Sequence, residues 1–530
     1  MAVAALALGS NVGDRFHNIE LALRLLEVPG ANLSYEDLQQ CNADMYAAVV
    51  DTSFLYETSP MYVTDQPSFT NCACLLETNI PPMILLRLLK RIETTVGRVP
   101  SIRNGPRAID LDIVFYGAQV IDTRSPSERN SLENLTGQLV VPHPRISERE
   151  FVLRPLNDMI PDFVHPILKE SISNLFDALP EKDPSLHVPV VPPTLTYWSY
   201  PITGNEAPLY PTQRKTHLMS TLNATPDSFS DGAIHNTLET AMSFARESID
   251  AGASIIDIGG YSTRPGAAFV SREEETNRIV PIVKAIRDVD ASSSDLDGQL
   301  KEVLISIDTF RWEVARASIL AGANCINDVY AFTGREDAWP LVDADAIQRS
   351  EECMAGMKSV AREFAVPVIL MHSRGDAGKN KDYGKYGSGP GVVIRGVQIE
   401  LGAKVECIIK GRGSVRRWMV IVDPGIGFSK TVEGNLEVLR DGASIVADVQ
   451  VDGKRNPLRG YSQLVGASRK SFLGTILAQG ERGRKTLPKE RIWATAAGVV
   501  CAVQQGALVV RVHDTREMAD VVTVADQLWQ

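Results

Sequence analysis

Short apolar runs separated by polar turns divide the chain into two parts with different rhythms. In the first part, strand-like runs alternate with longer stretches whose apolar positions recur at helical spacing. The predicted strands lie near 2–8, 46–58, 69–79 and 109–116, and the predicted helices lie near 19–26 and 82–96. This order of elements predicts a compact α+β sandwich, in which one sheet packs against helices.

From residue 215 onward, eight short apolar runs each end in a polar or glycine-containing turn, and most are followed by a stretch compatible with a helix. Eight such repeats in this length predict a (β/α)8 TIM barrel, whereas an open doubly wound sheet, the alternative, would usually need fewer strands. The eight predicted strands are 217–222, 254–258, 303–307, 324–326, 367–371, 419–422, 463–465 and 507–512.

Residues 180–214 are rich in proline and have little helical or strand periodicity. Proline fixes φ and removes a backbone donor, so we expect an extended connector there. The predicted domains are therefore 1–179 and 215–530, with 180–214 as a linker.

Composition excludes several classes of protein. The chain has 530 residues, of which 44% are hydrophobic and 22% charged, with a net charge of -11, so we expect two or more globular domains and neither nucleic acid nor a membrane surface as a partner. No apolar run reaches the roughly 20 residues of a membrane span, and Met1–Leu8 resembles a buried first strand more than a signal peptide. The seven scattered cysteines are expected to be reduced, as in an intracellular protein.

The first candidate for chemistry is the pair Asp110 and Asp112. Residues two apart on a strand project from the same face, and two adjacent carboxylates suit a magnesium ion. An isolated pair of this kind would more often be a solvated strand face. Here Arg98, Arg103 and Arg107 lie just upstream and supply the positive charge that nucleotide phosphates require.

Motifs in this part occur in one particular order: Gly9-Ser10-Asn11, Tyr56–Pro60, Asp65-Gln66-Pro67, Phe69 with Asn71, Arg91–Glu93, Gly97-Arg98, Gly105–Ile113 and Pro142-His143-Pro144. Together they resemble 6-hydroxymethyl-7,8-dihydropterin pyrophosphokinase over residues 4–165. The resemblance implies a ferredoxin-like fold and transfer of pyrophosphate from ATP, the co-substrate, to a pterin.

The same resemblance implies roles for individual residues. Asp110 and Asp112 would hold two Mg²⁺ ions on the ATP phosphates. The residues implied for the nucleotide and its transferring group are Glu93, Arg98, Arg107 and His143. The residues implied for the pterin are Thr58, Phe69, Asn71 and Phe151.

In the predicted barrel, polar residues stand near the carboxyl end of nearly every strand: Asn223, Asp257, Asp308, Asn327-Asp328, His372, Asp423, Ser468–Lys470 and Arg511–His513. Active sites in this fold are built from strand carboxyl ends. The acids and amides fall on the early strands and the cations on the last two, so we expect a pterin edge at Asp308, Asn327 and Asp423, and a pyrophosphate at Lys470 and Arg511. The loop 261–266 could close over the site as a lid.

These segments, together with Leu222–Gly232 and Asp423–Phe428, resemble dihydropteroate synthase across residues 215–530. The resemblance implies condensation of dihydropterin pyrophosphate with p-aminobenzoate. Asn223 would bind magnesium on the pyrophosphate, helped by Thr263, Arg264, Arg511 and His513. Asp308, Asn327, Asp423 and Lys470 would hold the pterin. Pro265, Phe428 and Ser468 would border the p-aminobenzoate pocket, where sulfonamides compete in this family.

The leading hypothesis is a bifunctional folate-biosynthesis enzyme similar to eukaryotic fused forms. The alternative is that one domain alone is catalytic and the other serves as a pterin-binding or assembly module. Because a further module can precede these two in fungi, we expect the chain to come from a longer protein of the cytoplasm or mitochondrion. We expect a homodimer formed through the barrel, and the long segments 291–302 and 373–391 are expected to be mobile surface.

Overall fold

The computed structural model describes residues 1–529 except 41–44, 101, 130–134, 136, 180–214, 225–237, 263–267, 335–342 and 480. The described residues form two compact units. One contains residues up to 179 together with Ile409–Trp418, and the other contains the remaining residues from 215 onward. The predicted linker 180–214 lies outside the described residues, so the domain boundaries stay a prediction.

The first unit mixes antiparallel strands with short and long helices. Its principal strands are β1 (Ala2–Ser10), β2 (Ala47–Thr52), β3 (Tyr56–Thr58), β4 (Phe69–Thr78) and β5 (Asp110–Tyr116), with the short pair β6 (Ile121–Asp122) and β7 (Val140–Val141). Its helices are α1 (Arg15–Leu26), α2 (Pro29–Asn32), α3 (Tyr35–Gln40), α4 (Pro82–Val96), α5 (Glu150–Met159) and α6 (Ile172–Asp177).

The main sheet of this unit has the strand order β2-β4-β1-β5. The short strand β3 pairs with the first residues of β4, and β2 pairs with its later residues. All of these neighbours run antiparallel. The connectivity strand–helix–strand–strand–helix–strand with this order is the ferredoxin-like fold. The predicted α+β class is therefore confirmed, and the run near 46–58 proves to be two strands instead of one.

The long helices begin and end where local chemistry favours it. The Asp14 carboxylate accepts the backbone N–H of His17 and caps α1. Helix α4 starts with Pro82 in its first turn and ends at Gly97, whose φ of 113° is accessible to glycine at little cost. Its apolar face is fully buried at Leu85 and Leu88. Truncating such a leucine to alanine typically costs about 2–5 kcal/mol.

The segment Ile409–Trp418 belongs to this first unit, although it is far from the unit's other residues in the chain. Arg417 donates from Nη2 to Asp51 at 2.9 Å and from Nε to the carbonyl of Thr52 at 2.7 Å. Arg416 donates from Nε to Glu20 at 3.1 Å. Both arginines are buried, so each buried charge here has an opposite charge beside it.

The second unit alternates strands and helices. Its strands are β8 (His217–Asn223), β9 (Ile255–Gly259), β10 (Leu304–Asp308), β11 (Cys325–Asp328), β12 (Val368–Met371), β13 (Val420–Asp423), β14 (Gln450–Val451), β15 (Lys454–Arg455), β16 (Ser462–Val465) and β17 (Val509–Val512). Its helices are α7 (Leu238–Asp250), α8 (Arg272–Arg287), α9 (Asp295–Glu302), α10 (Trp312–Leu320), α11 (Ala344–Phe364), α12 (Val392–Ile409), α13 (Val432–Arg440), α14 (Ser471–Leu477), α15 (Ile492–Gln504) and α16 (Thr515–Trp529).

Eight parallel strands of this unit close into a barrel, in the order β8-β9-β10-β11-β12-β13-β16-β17, and β17 pairs back with β8. The predicted (β/α)8 barrel is confirmed, and each predicted strand lies within two residues of the observed one. Closure excludes the open doubly wound sheet. Strands β14 and β15 form a small separate hairpin.

Helices cover the barrel by burying apolar side chains between themselves and the strands. In one such cluster Ile256, Ile258 and Ile305 of the strands pack with Ile279 and Ile286 of α8. The segment 291–302, predicted to be mobile surface, contains helix α9, whose Leu300 is completely buried in this cluster. That prediction is wrong at this position, because Leu300 fills a place in the core.

Within the described parts of the chain, none of the helices combines the length and apolar character that crossing a bilayer requires. The six cysteines that the structure describes form no disulfide among themselves, and Cys41 lies outside the described residues.

Candidate active sites

A pocket in the first unit brings together most of the residues predicted there. It holds about 710 Å³ of empty space, including the part open to solvent, which is within the range of small-molecule sites. The predicted residues that line it are Thr58, Phe69, Asn71, Arg107, Asp110, Asp112 and Phe151. These come from β3, β4, β5 and α5 and the turn before β5, so the fold gathers residues almost a hundred positions apart.

Asn71 has a fixed orientation at the wall of this pocket. Its Nδ2 donates to Thr58 Oγ1 at 2.6 Å, and it stands opposite Gly9 in the pairing of β1 with β4. A Cβ on Gly9 would lie 2.5 Å from Asn71 Oδ1. Glycine at position 9 is therefore what lets the Asn71 side chain occupy this place.

Asp110 is held in its charged form by neighbouring cations. Arg98 Nη1 donates to its Oδ1 at 2.6 Å, and Arg107 Nη1 donates to its Oδ2 at 2.8 Å. Burial opposes ionisation, but the charges of Arg107, Lys90 and Arg98 keep the pKa of Asp110 below its ordinary value. Asp112 shares the face of β5 and the pocket with Asp110.

This donor pair fits a magnesium ion. Ionised carboxylate oxygens are the ligands that Mg²⁺ prefers, usually one or two per ion with water and substrate phosphates completing the shell. No cluster of three or more His, Cys, Asp or Glu residues suited to a metal occurs among the described residues. A site on this pair would therefore depend on the substrate for further ligands.

Glu93, Arg98 and His143 are not among the residues that line the pocket. Glu93 accepts from Lys90 Nζ at 2.7 Å, from the Leu111 backbone N–H at 2.9 Å and from Arg98 Nη1 at 2.7 Å. Burial raises its pKa. It thus connects α4 to the strand that carries both aspartates.

The imidazole of His143 accepts a hydrogen bond at Nδ1 from the backbone N–H of Arg145, at 3.2 Å. Burial lowers its pKa, although the charge of Asp112 favours the protonated form. His143 is therefore neutral near pH 7, with its Nδ1 committed to the turn.

Sequence reasoning missed individual residues that support the pocket, among them Asn11. Asn11 donates to the Gln66 side chain at 3.1 Å and to the Pro67 carbonyl at 3.0 Å, and it accepts the Arg107 N–H at 2.8 Å. It thereby ties three loops around the pocket. Only its presence in a shared motif pointed to it, because none of these contacts is local in sequence.

Arg149 was also missed. The carbon at the centre of its guanidinium lies 5.6 Å from the ring centroid of Phe151 and 5.8 Å from that of Tyr62. Both distances suit cation–π contacts. No spacing in the sequence distinguishes this arginine from a surface one.

In the barrel, Arg511 is surrounded by acids that were predicted to lie apart from it. Its Nε donates to Asp257 at 2.6 Å and its Nη2 donates to Asp308 at 2.9 Å. Asn327 Nδ2 also donates to Asp257, at 3.2 Å. The expected separation of acids from cations is wrong here, because β17 pairs with β8 in the closed barrel and its arginine reaches the acids of the next two strands, β9 and β10.

Asn223 and Asp308 are the last residues of β8 and β10, the two strands on either side of β9. Each is paired with Gly259, the last residue of β9. A Cβ on Gly259 would lie 3.7 Å from Asn223 Oδ1 and 3.7 Å from Asp308 Oδ2. The glycine leaves a small space between an amide oxygen and a carboxylate.

Burial makes two mouth carboxylates weak acids. It raises the pKa of Asp308 to about 7, although the charge of Arg511 opposes this. It raises the pKa of Asp423 to about 6, although the Gly425 N–H, which donates to Oδ1 at 2.7 Å, opposes this. Both groups can therefore change charge near neutral pH.

The remaining predicted residues of the mouth form two pairs. Lys470 Nζ lies 4.3 Å from the centroid of the Phe428 ring. Ser468 Oγ is 3.0 Å from His513 Nδ1 and accepts the His513 backbone N–H at 3.2 Å. Thr263, Arg264 and Pro265, and with them most of the predicted lid, lie outside the described residues.

The chain joins a ferredoxin-like unit, which has a carboxylate–arginine pocket, to a (β/α)8 barrel with a polar mouth, and this combination defines a class of two-domain enzymes that handle phosphorylated substrates. Family comparisons then match residues 5–161 to 7,8-dihydro-6-hydroxymethylpterin-pyrophosphokinase and residues 219–513 to pterin binding enzyme. The chain belongs to the family of fused folate synthesis proteins that carry both of these domains.

Relatives cover nearly the whole chain. The folic acid synthesis protein fol1 of Pneumocystis carinii is 36% identical over 99% of this chain and 60% of its own length. The mitochondrial folate synthesis bifunctional protein of Pisum sativum is 36% identical over 99% of this chain and 88% of its own length. The chain thus spans about 60% of the length of the fungal relatives it matches.

A solved structure of a Plasmodium falciparum HPPK-DHPS triple mutant with pteroate matches 100% of this chain and 95% of its own, with a TM-score of 0.71 and 20% identity. At that identity the match bears on the fold alone.

Proposed function

We propose that the chain carries out two consecutive steps of folate biosynthesis. The first unit transfers pyrophosphate from ATP to 6-hydroxymethyl-7,8-dihydropterin. The barrel condenses the resulting pterin pyrophosphate with p-aminobenzoate to give 7,8-dihydropteroate. The observation that carries the proposal is the pocket in which Asp110 and Asp112 face the same space as Phe69, Asn71 and Phe151.

In the first reaction the flat pterin would lie against Phe69 and Phe151, and Asn71 would hydrogen-bond its edge. The hydroxymethyl oxygen attacks the β-phosphorus of ATP and loses its proton to solvent. The bond from the β-phosphorus to the oxygen that bridges it to the α-phosphorus breaks, and AMP leaves with that oxygen. Asp110 and Asp112 would hold Mg²⁺, which would neutralise charge on the ATP phosphates. Because Arg98 and Arg107 already lie beside Asp110, they are well placed to contact phosphate oxygens.

Glu93 and His143, which do not line this pocket, would also contribute. Glu93 accepts hydrogen bonds from Arg98 and from the backbone of β5, so it would orient the arginine and the metal-binding strand. His143, neutral near pH 7, would offer its other ring nitrogen to the transferring group.

In the second reaction the bond between the pterin methylene carbon and the pyrophosphate oxygen breaks. The resulting pterin cation is then attacked by the aniline nitrogen of p-aminobenzoate, which loses a proton as the new C–N bond forms. Asp308, Asn327, Asp423 and Lys470 would hold the pterin. Asn223 would hold Mg²⁺ on the leaving pyrophosphate. The residues that would bind the pyrophosphate itself are Thr263, Arg264, Arg511 and His513.

Phe428, Ser468 and Pro265 would border the p-aminobenzoate pocket, where a sulfonamide would compete. The contact of Phe428 with Lys470 supports a site in which the ring stands next to the pterin-binding lysine.

We further propose a homodimer formed through the barrel, and the cytoplasm or mitochondrion as the compartment. Two plant relatives are named as mitochondrial proteins.

Paired substitutions test the two-site proposal. Asp110→Ala should abolish formation of pterin pyrophosphate and leave condensation of supplied pterin pyrophosphate intact, whereas Lys470→Ala should do the reverse. Asp162→Ala and Lys454→Ala, at exposed positions of the same two units, are matched controls that should retain both activities.

Loss of both activities from either single substitution in a folded protein would contradict the proposal. If wild type catalysed one reaction only, the alternative with a single catalytic domain would replace it.

A further inference from the structure

A buried lysine holds together the loop that carries Phe428. Lys430 Nζ donates to the carbonyl of Gly425 at 3.0 Å and to the carbonyl of Phe428 at 3.2 Å, and it contacts His372 Nδ1 at 3.1 Å. Burial lowers the pKa of Lys430 to about 7. In its ammonium form the group has three donors, and the two loop carbonyls and His372 Nδ1 accept all three. Lys430 Nζ therefore joins its own loop to His372.

The same loop packs tightly against His372. The His372 N–H donates to the Asp423 carbonyl at 2.8 Å, and a Cβ on Gly425 would lie 2.1 Å from the His372 carbonyl oxygen. Gly425 also has a φ of 69°, a conformation that other residues adopt at a cost. The path of residues 423–428 thus depends on where His372 is.

His372 is fixed in turn by Glu400 of helix α12. His372 Nε2 and Glu400 Oε2 are 2.9 Å apart, and their side chains are only 1% and 4% exposed. Burial and the charge of Lys430 lower the pKa of His372 to about 3. The imidazole is therefore neutral, accepts from Lys430 at Nδ1 and donates from Nε2 to Glu400.

The Glu400 carboxylate also contacts side chains of the segment 373–391, which was predicted to be mobile surface. Arg374 Nε and Lys385 Nζ each lie 3.3 Å from its carboxylate, and the Tyr386 hydroxyl donates to it. Ser373, Arg374 and Tyr383 are buried, so the prediction is wrong for these residues. Burial opposes ionisation of Glu400, but the hydrogen bonds from His372 and Tyr386 hold its pKa at about 2.

We propose that Glu400 is a positioning residue for the barrel's reaction: through His372 and Lys430 it sets the loop 423–428, and with it the Phe428 ring beside Lys470. Glu400 itself touches no reacting atom. This inference rests on the proposed function of the barrel. A misplacement of about 1 Å in such a loop can cost up to roughly a hundredfold in rate.

Glu400→Gln in the full chain tests the inference, because it removes the negative charge while keeping the size of the side chain. We expect the KM for p-aminobenzoate to rise roughly tenfold, with a smaller change in the KM for pterin pyrophosphate. Lys430→Met should produce the same pattern. Glu433→Gln, at an exposed position of α13, is the matched control and should leave both constants unchanged.

Limited trypsin cleavage gives a readout that does not depend on activity. Lys379 and Lys381 are exposed in the segment that Glu400 anchors. Cleavage after them should be roughly tenfold faster in Glu400→Gln than in wild type or Glu433→Gln, because an unanchored loop opens more often.

A purely structural role would lower the unfolding temperature without separating the two KM values, and that outcome would overturn the inference. Unchanged KM values together with unchanged cleavage would also overturn it. If wild type formed no dihydropteroate, the proposed function would be wrong, and the cleavage rates would still decide whether Glu400 anchors the loops.

Discussion

Arg511 Nε donates to Asp257 Oδ2 at 2.6 Å, and Asp257 has no exposed surface. Two residues 254 positions apart therefore form an ion pair at the barrel mouth, in which the carboxylate is fully buried and the guanidinium is 21% exposed. A buried carboxylate that loses its partner is left with an uncompensated desolvation penalty. Asp257 thus fixes the position of Arg511, and the charge of Arg511 compensates the desolvation cost of the buried Asp257 carboxylate.

Arg511→Met should destabilise the barrel strongly. Breaking a buried pair by removing one partner costs about 3–5 kcal/mol, and this can be measured as the free energy of unfolding of the barrel transition in urea. The matched control is Arg516→Met, whose partner Asp250 is well exposed. An exposed pair contributes about 0–1 kcal/mol, so equal losses in the two variants would contradict the assignment.

The raised pKa of Asp308 predicts a pH dependence of the barrel's reaction. Burial raises this pKa to about 7, so Asp308 becomes a carboxylate, able to accept from pterin N–H groups, as pH rises through about 7. The kcat/KM for condensation should increase over the same range, since this constant reports the pKa values of the free enzyme. Asp423, with a pKa of about 6, should add a lower step.

Stability should change with pH in the opposite direction. The folded-state pKa of Asp308 is above its unfolded value of 3.8, so its contribution to stability is complete below about pH 4 and is lost as pH rises toward 7.

Asp308→Asn should remove the step near pH 7 from the kcat/KM profile and keep the one near 6. A variant profile that kept both steps would exclude Asp308 as the source of the step near pH 7.

The parts of this protein that sequence could predict are those governed by local pattern. Strand β10 and helix α4 are recognisable because their apolar side chains recur at fixed spacing, and the motif residues Asp110 and Asn71 proved to share one pocket. Strand count then identified the barrel.

What could not be predicted depends on contacts between distant positions. The pairing of Arg511 with Asp257 follows from barrel closure, which places the last strand beside the first and so brings Arg511 within reach of the second. The burial of Arg374 follows from its contact with Glu400 on the next helix. The glycine- and lysine-rich composition of residues 373–391 is typical of an exposed loop. Composition does not reveal that one buried carboxylate, that of Glu400, binds several of its side chains.

Gly9→Ala should impair the first unit's reaction without unfolding it. The new Cβ would lie 2.5 Å from Asn71 Oδ1, a distance that real contacts do not reach, so the Asn71 amide must move and its hydrogen bond to Thr58 must weaken. We expect the KM for the hydroxymethyl pterin to rise roughly tenfold, equivalent to about 1.4 kcal/mol, because the amide that reads the pterin edge is displaced. Gly30→Ala is the matched control, since nothing lies within 4 Å of its Cβ position. Steady-state kinetics with the pterin varied at saturating ATP would measure both variants, and a normal KM in Gly9→Ala would show that Asn71 does not contact the pterin.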